Sequence, residues 1–534
     1  MRRTRRNRAG ACVAAAVVVG AAGLAAGAAH GAPSPRDIAL TPLGTYGTGI
    51  AGGTSGETAA LQGTRLYVTN STGNSLDIVD VTDPARPVLE RRVDLSPYGA
   101  GPNSVDARRG LVAVAVEASP ITAPGAVVFL TPSGEFIARA TVGSLPDMLT
   151  FTPDGRQVLV ADEGEAPAYG PGETDPEGSV SIVATSGLTR SGGPEVRRVG
   201  FADFDAGGPR HGELPSGVRL NGPGPTVAQD LEPEYIAVDE DGRTATVTLQ
   251  DNNAIARIDL RAGRVVSITA LGWNDHSVAG QGLDPSDRGG GISIGTWPVR
   301  GLYMPDALAA FRVRGRDYLI SANEGDGRDR TGFGDEVRVG ASSVVLDPAA
   351  FPDAAGLKAP AALGRLNVSR TDGLTGGVYT ALYSFGARSA TIWTTAGTRV
   401  WDSGDQIERR IAAEVPAAFN VSNDANVADD RSDNKGPEPE GVAVGTVRGR
   451  TYAFVGLERV GGLMVFDVST PASPRLVQWA NRRDYGLSPL APGQDSGPEV
   501  VHFVPEKESP VRAPLVVVAN EVSGTVTMYR VTQG

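Results

Sequence analysis

Cysteine is almost missing from these 534 residues, and the single one, Cys12, lies in a leader-like segment. With that segment removed the chain has no thiol, which excludes disulfides, thiolate metal sites and a cysteine nucleophile. Histidine is also scarce. Outside the leader only His211, His276 and His502 occur, none of them spaced as a metal pair, so zinc and copper are poorly served. Lysine and arginine number 49 against 61 acidic residues, for a formal charge of −12. No heptad or long helical periodicity appears, and no glycine period of three. There is no phosphate-cradling loop, dinucleotide fingerprint, haem-attachment motif or zinc-protease motif. The lack of cysteine and of an axial-ligand pattern also disfavours a haem or quinone oxidoreductase.

What is present begins with a cluster of arginines (Arg2, Arg3, Arg5, Arg6, Arg8), an Ala/Val/Gly run from Ala11 to Ala29 and small residues before Pro33. That order reads as a secretory signal over 1–32, by the general or the twin-arginine route, because the run is too weakly apolar for a spanning anchor. Cleavage takes away five arginines and moves the formal charge from −12 to −17. Such a surface repels nucleic acid and anionic membranes and favours cations. The mature chain, 33–534, is expected to be a monomer with no membrane span.

Gly 70 and Pro 38 imply many turns, and the Val, Ile, Thr and Leu between them fall into short runs. A phrase of proline followed by an acidic or amide residue recurs at Pro102-Asn103, Pro146-Asp147, Pro233-Glu234, Pro305-Asp306, Pro439-Glu440 and Pro498-Glu499, with a proline-free copy at Glu57. An apolar run ending on a polar residue follows each, as in LYVTN from Leu66 or LVVVANE from Leu515. A third run comes next, as in GGLMVFD from Gly461. A fourth is found in six units, while IALTPLGTY from Ile38 precedes the first and can complete the last. The pattern predicts an all-β, seven-bladed β-propeller of four-stranded antiparallel blades, closed by an N-terminal strand in the last blade. The polar insertions 164–177, 193–229, 273–303, 325–386 and 402–437 read as loops decorating the blades.

In such a fold the starts of first strands and the ends of second strands meet on one face beside the channel. The first set is Glu57, Asn103, Asp147, Glu234, Asp306, Glu440 and Glu499; the second is Asn70, Glu117, Glu163, Gln250, Glu324, Glu458 and Glu521. Like charges held this close need a cation, a basic side chain or raised pKa values. Hard oxygen donors suit a divalent metal, calcium first, with magnesium and manganese as alternatives. The metal candidates are therefore Glu57, Asp147, Glu163, Glu234, Asp306, Glu324, Asp326, Glu440, Glu458, Glu499 and Glu521. Basic neighbours Arg328, Lys435, Arg459 and Arg388 either neutralise these acids or, beside a metal, bind phosphate oxygens. Asp284, Asp287, Asp424, Asp429, Asp430 and Asp433 sit in acidic loops without the spacing of an EF-hand and read as solvated turns, with peripheral calcium second. Ser293, in GISIG, matches a nucleophile elbow by letters alone, with no helix expected after it.

The phrases DLEPEYIAV, LQDNNAIA, ANEGD, SDNKGPEPEG, GLERVGG and VVANEVSGT resemble the choice-of-anchor I family of exported bacterial proteins over nearly the whole mature chain. The resemblance implies a YVTN-type propeller that is secreted or surface-attached, and LYVTN from Leu66 is similar to that signature. Some members of the family carry an alkaline phosphatase label. The family's variable C-terminal anchor has no counterpart before Gly534, so release into the medium or periplasm is expected. Two functions stay open. One is a propeller that binds a divalent cation at its acidic mouth and a small-molecule or protein ligand through the loops. The other is a metal-dependent phosphohydrolase with Glu324, Asp326, Glu440 and Glu458 on the metal and Arg328 and Lys435 on phosphate.

Overall fold

The computed structural model describes residues 37–188 and 193–533; the expected signal over 1–32, with Cys12, lies outside them. Short runs of β-branched residues between turns can satisfy their backbone only by pairing with one another. They do so, among the described residues, in seven four-stranded antiparallel sheets, giving an all-β, β-propeller fold. The first strands of these sheets are Ser55–Gln62, Gly101–Arg108, Pro146–Phe151, Ile236–Val238, Leu308–Val313, Pro439–Val447 and Pro498–Val504. Each neighbours the next in sequence, and Pro498–Val504 neighbours Ser55–Gln62. In the seventh sheet Ile38–Gly47 pairs antiparallel with Thr525–Gln533, from Ile38 opposite Gln533 to Gly47 opposite Thr525. Apolar faces of adjacent sheets pack together; Val455, Met464 and Phe466 of the sixth, for example, meet Ile320 and Ile392 of the fifth.

The five insertions enter between a second and third strand or between one sheet and the next. In an antiparallel sheet both kinds of connection lie on the same face, where the first strands begin. The insertions differ from the expected loops. Residues 193–229 contain the fourth strand of the third sheet, Val196–Gly200, and 402–437 contain a helix, Gln406–Glu414. Val299 from 273–303 joins Val339, Phe351, Leu363, Leu366 and Val368 from 325–386 in a separate apolar cluster. These residues are irregularly spaced, so no strand or helix period announced them.

Arginines, two of them buried, tie the insertions to one another. Arg219 pairs with Asp335 and, at 2.8 Å, with Asp372. Arg365 reaches Asp287 at 2.8 Å and Asp433 at 2.6 Å. Arg388 donates to Glu408 and to the carbonyls of Asp284, Ser432 and Asn434. The result is a canopy over one face. No helix among the described residues is long and apolar enough to cross a membrane.

Candidate functional site

In four of its six copies the proline–acid phrase forms a β-bulge, while Pro233-Glu234 and Pro305-Asp306 precede strands whose register does not slip. Pro102, Pro146, Pro439 and Pro498 each stand opposite the last or next-to-last residue of the second strand, and the register then slips. Proline is tolerated there because the first position of a strand needs no N–H. The extra residue of a bulge re-aims its side chain, and here that residue is Asn103, Asp147, Glu440 or Glu499. The first sheet slips likewise between Ser55 and Ala59, around Glu57.

Five members of this first set, Glu57, Asn103, Asp147, Asp306 and Glu499, line a cavity of about 160 Å³. Glu440, only 6 % exposed, brings a carboxylate oxygen within 4.8 Å of oxygens on Asp306 and Glu499, and its Oε2 has no hydrogen-bond partner. Glu234 is half-buried, with Oε2 also unpartnered. Among the described residues no lysine or arginine pairs with Glu57, Asp147, Glu234, Asp306, Glu440 or Glu499. Burial and then the charge of Glu117 push the Asp147 carboxyl up to about 6; burial and then Glu324 push Asp306 up to about 7. Glu57, Glu234, Glu440 and Glu499 lie well above the usual range, from burial first and neighbouring carboxylates second.

The second set is organised differently. Glu324 pairs with Lys435 and accepts from Gln250 Nε2 at 2.7 Å. Glu458 pairs with Arg459 at 3.1 Å and accepts from Asn423 Nδ2 at 2.6 Å. Glu438, unforeseen in the sequence, is fully buried and completes a second trio of oxygens within 4.8 Å with Glu324 and Glu458. Burial alone raises its pKa, but Lys435, Arg459 and Arg431 outweigh that and hold it far below the usual range. Its one signal was the doubled phrase Pro437-Glu438-Pro439-Glu440, in which Glu438 is the glutamate before Glu440. Glu163 and Glu521 are both raised, chiefly by burial, and belong to neither trio. Asp326, pushed up to about 7 by burial and then Asp251, stands apart as well.

One assignment is corrected. Asn70 pairs with Ser55 at the strand end and is fully buried, so the second-set position in the first sheet belongs to Ser71. Its hydroxyl donates to Glu57 at 3.0 Å or to Pro102 O at 2.5 Å.

The basic residues are spent inside the protein. Arg328, 1 % exposed, donates from Nε to Asp251 at 2.8 Å, from Nη1 to Asp230 and Asn221, and from Nη2 to Glu232 at 2.7 Å and Asp230 O. All five N–H groups are occupied. The three protons of Lys435 go to Glu324, Glu438 and Gly325 O. Neither residue keeps a donor for a phosphate oxygen. The peripheral aspartates are partnered too: Asp287 and Asp433 by Arg365, Asp429 by Ser432, Asp424 by Ser422. The amide of Ser293 donates to Asp284, and no helix follows it.

A sequence profile of the choice-of-anchor I domain matches residues 58–471. The chain belongs to the choice-of-anchor I family. This choice-of-anchor I chain is 32 % identical over 190 residues to Gigasin-3a of Magallana gigas, covering 32 % of the chain and 65 % of that relative. It is 32 % identical over 295 residues to a mesenchyme-specific cell surface glycoprotein of Strongylocentrotus purpuratus, covering 48 % and 38 % respectively. It therefore spans less than two thirds of either relative. Among solved structures it is similar to Kuenenia stuttgartiensis hydrazine synthase (13 % identity, TM-score 0.47, covering 92 % of this chain and 98 % of that one). Another is the Myceliophteria thermophila Cps50 (Swd1) β-propeller domain (10 %, 0.41, 92 % and 100 %).

Proposed function

We propose that this choice-of-anchor I chain is an extracytoplasmic, seven-bladed β-propeller that holds a divalent cation at Asp306, Glu440 and Glu499 and recognises a small-molecule or protein ligand through its insertions. Each four-stranded sheet is one blade of a single domain over 33–534, and Ile38–Gly47 closes the ring by completing the last. The leader over 1–32 directs export.

The observation that carries the cation is the contrast between the two trios. Glu324, Glu438 and Glu458 are matched by Lys435, Arg431 and Arg459. Asp306, Glu440 and Glu499 have comparable spacing and no cationic side chain. In a half-buried setting such a set must bind a cation or carry protons. An all-carboxylate donor set favours calcium. Glu57, Asp147 and Glu234 add to the negative field, with Glu163, Glu521 and Asp326 farther out. The phosphohydrolase alternative loses its grip on phosphate, because Arg328 and Lys435 have no free donor.

Elemental analysis of the purified mature chain, with thermal unfolding in calcium and in EDTA, tests the reading. Stoichiometric calcium and a melting temperature that falls on chelation are expected, and Glu440→Gln should abolish both. A wild-type protein without bound metal and indifferent to EDTA would leave the carboxylates protonated and remove the cation from the function.

A further inference from the structure

Building on the cation reading, we infer that the cation reaches the acidic set from the mouth opposite the canopy, past a layer of side chains in which His502 and Asp106 are the ionisable ones. The cavity holding Glu57, Asp147, Asp306 and Glu499 extends along the first strands to Ala60, Asp106, Thr150 and His502. Each of these stands three residues beyond a member of the first set, Glu57, Asn103, Asp147 or Glu499. At the rise of a β-strand that is about 10 Å farther along the channel. Ala237, Ala309 and Ala443 occupy the same step in the fourth, fifth and sixth sheets. The alanines of this layer pack into the apolar clusters between sheets, which leaves Asp106, Thr150 and His502 as its polar side chains on the cavity, and His502 and Asp106 are its only titratable members. Asp106 is held in place: its Oδ2 accepts the Phe151 amide at 2.8 Å. His502 is half-buried.

The other direction is obstructed. No second-set residue lines the cavity. Lys435 reaches from the canopy to Glu324 and Gly325 O, Gln250 bonds Glu324, and Arg459 spans Glu438 and Glu458. These contacts cross-link the canopy-side mouth where five insertions converge.

Terbium(III), a hard cation of calcium-like size, is a probe with its own readout. The Tyr235 ring lines the cavity and serves as the sensitiser of terbium luminescence. Uptake by the wild-type chain and by His502→Trp, Thr150→Trp and Ala118→Trp is followed by stopped-flow luminescence, with bound terbium counted at equilibrium; Thr150 lines the cavity and is half-buried. Ala118 follows Glu117 on the canopy side and is partly exposed.

His502→Trp and Thr150→Trp should each slow uptake roughly tenfold while leaving the final amount bound unchanged. Ala118→Trp should leave the rate as in wild type. Slowing by Ala118→Trp, or unchanged rates in both of the other variants, overturns the route. So does loss of equilibrium binding in His502→Trp with Thr150→Trp at the wild-type rate, since His502 is then a ligand or a support and not a passage. A wild-type chain that binds no terbium overturns the cation reading itself, and with it the route.

Discussion

A guanidinium 1 % exposed among three carboxylates is the most heavily constrained residue of the molecule. Removing Arg328 leaves Asp230, Glu232 and Asp251 buried with uncompensated charge. Breaking such a group by deleting one partner costs about 3–5 kcal/mol. Arg328→Met is therefore expected to lower unfolding stability by that amount, measured in urea at neutral pH. Glu440 should behave in the opposite way. It sits in an excess of like charge, so Glu440→Gln is expected to be no less stable than wild type in EDTA. It should also lack the gain calcium gives the wild type, about 2.7 kcal/mol at a hundredfold excess over Kd. A variant that stays calcium-responsive removes Glu440 from the site. The sequence named both residues but not this difference in sign. Arg328 meets Asp230 across 98 residues of chain, a pairing no local pattern encodes.

At the level of elements, the proline–acid phrase was legible because a bulge has a local cause: proline at the strand start and one residue too many after it. The pairing of Ile38–Gly47 with Thr525–Gln533 was legible for a similar reason, since the last unit is one strand short and the run IALTPLGTY precedes the first unit. A chain truncated before Thr48 would expose the edge of Thr525–Gln533. Such an edge invites pairing with another chain. The truncated protein should melt at lower temperature and aggregate with rising concentration in light scattering; a monodisperse protein of unchanged melting temperature would refute closure by Ile38–Gly47. The apolar cluster of the insertions was not legible, because its members follow neither period. Phe351→Ala should destabilise it by about 3–5 kcal/mol. Hydrogen exchange should rise over 339–382 while the seven sheets keep their protection.

Over the whole molecule, the acidic channel couples stability to pH. Asp147 and Asp306 titrate near 6 and 7 in the folded chain, because burial disfavours their charged forms. An unfolded aspartate titrates near 3.9. The folded state thus holds more protons than the unfolded state between about pH 4 and 7, and stability falls as pH rises through that window. In EDTA the melting temperature should decline from pH 5 to pH 8, and calcium should flatten the slope by replacing the protons. A melting temperature that climbs with pH in EDTA contradicts the raised values. The sequence by itself determined the all-β class, the recurrence of four-stranded units, the strand that pairs with the last one and the recurring acidic positions. Each of these follows from local periodicity and turn chemistry, which act between near neighbours in the chain. Only the tertiary structure decided which carboxylates find a cation within the protein and which do not. That depends on arginines and a lysine carried by long insertions, whose partners are set by packing across distant segments. The same packing turned supposed loops into a canopy and left Asp306, Glu440 and Glu499 as the trio without a counter-charge.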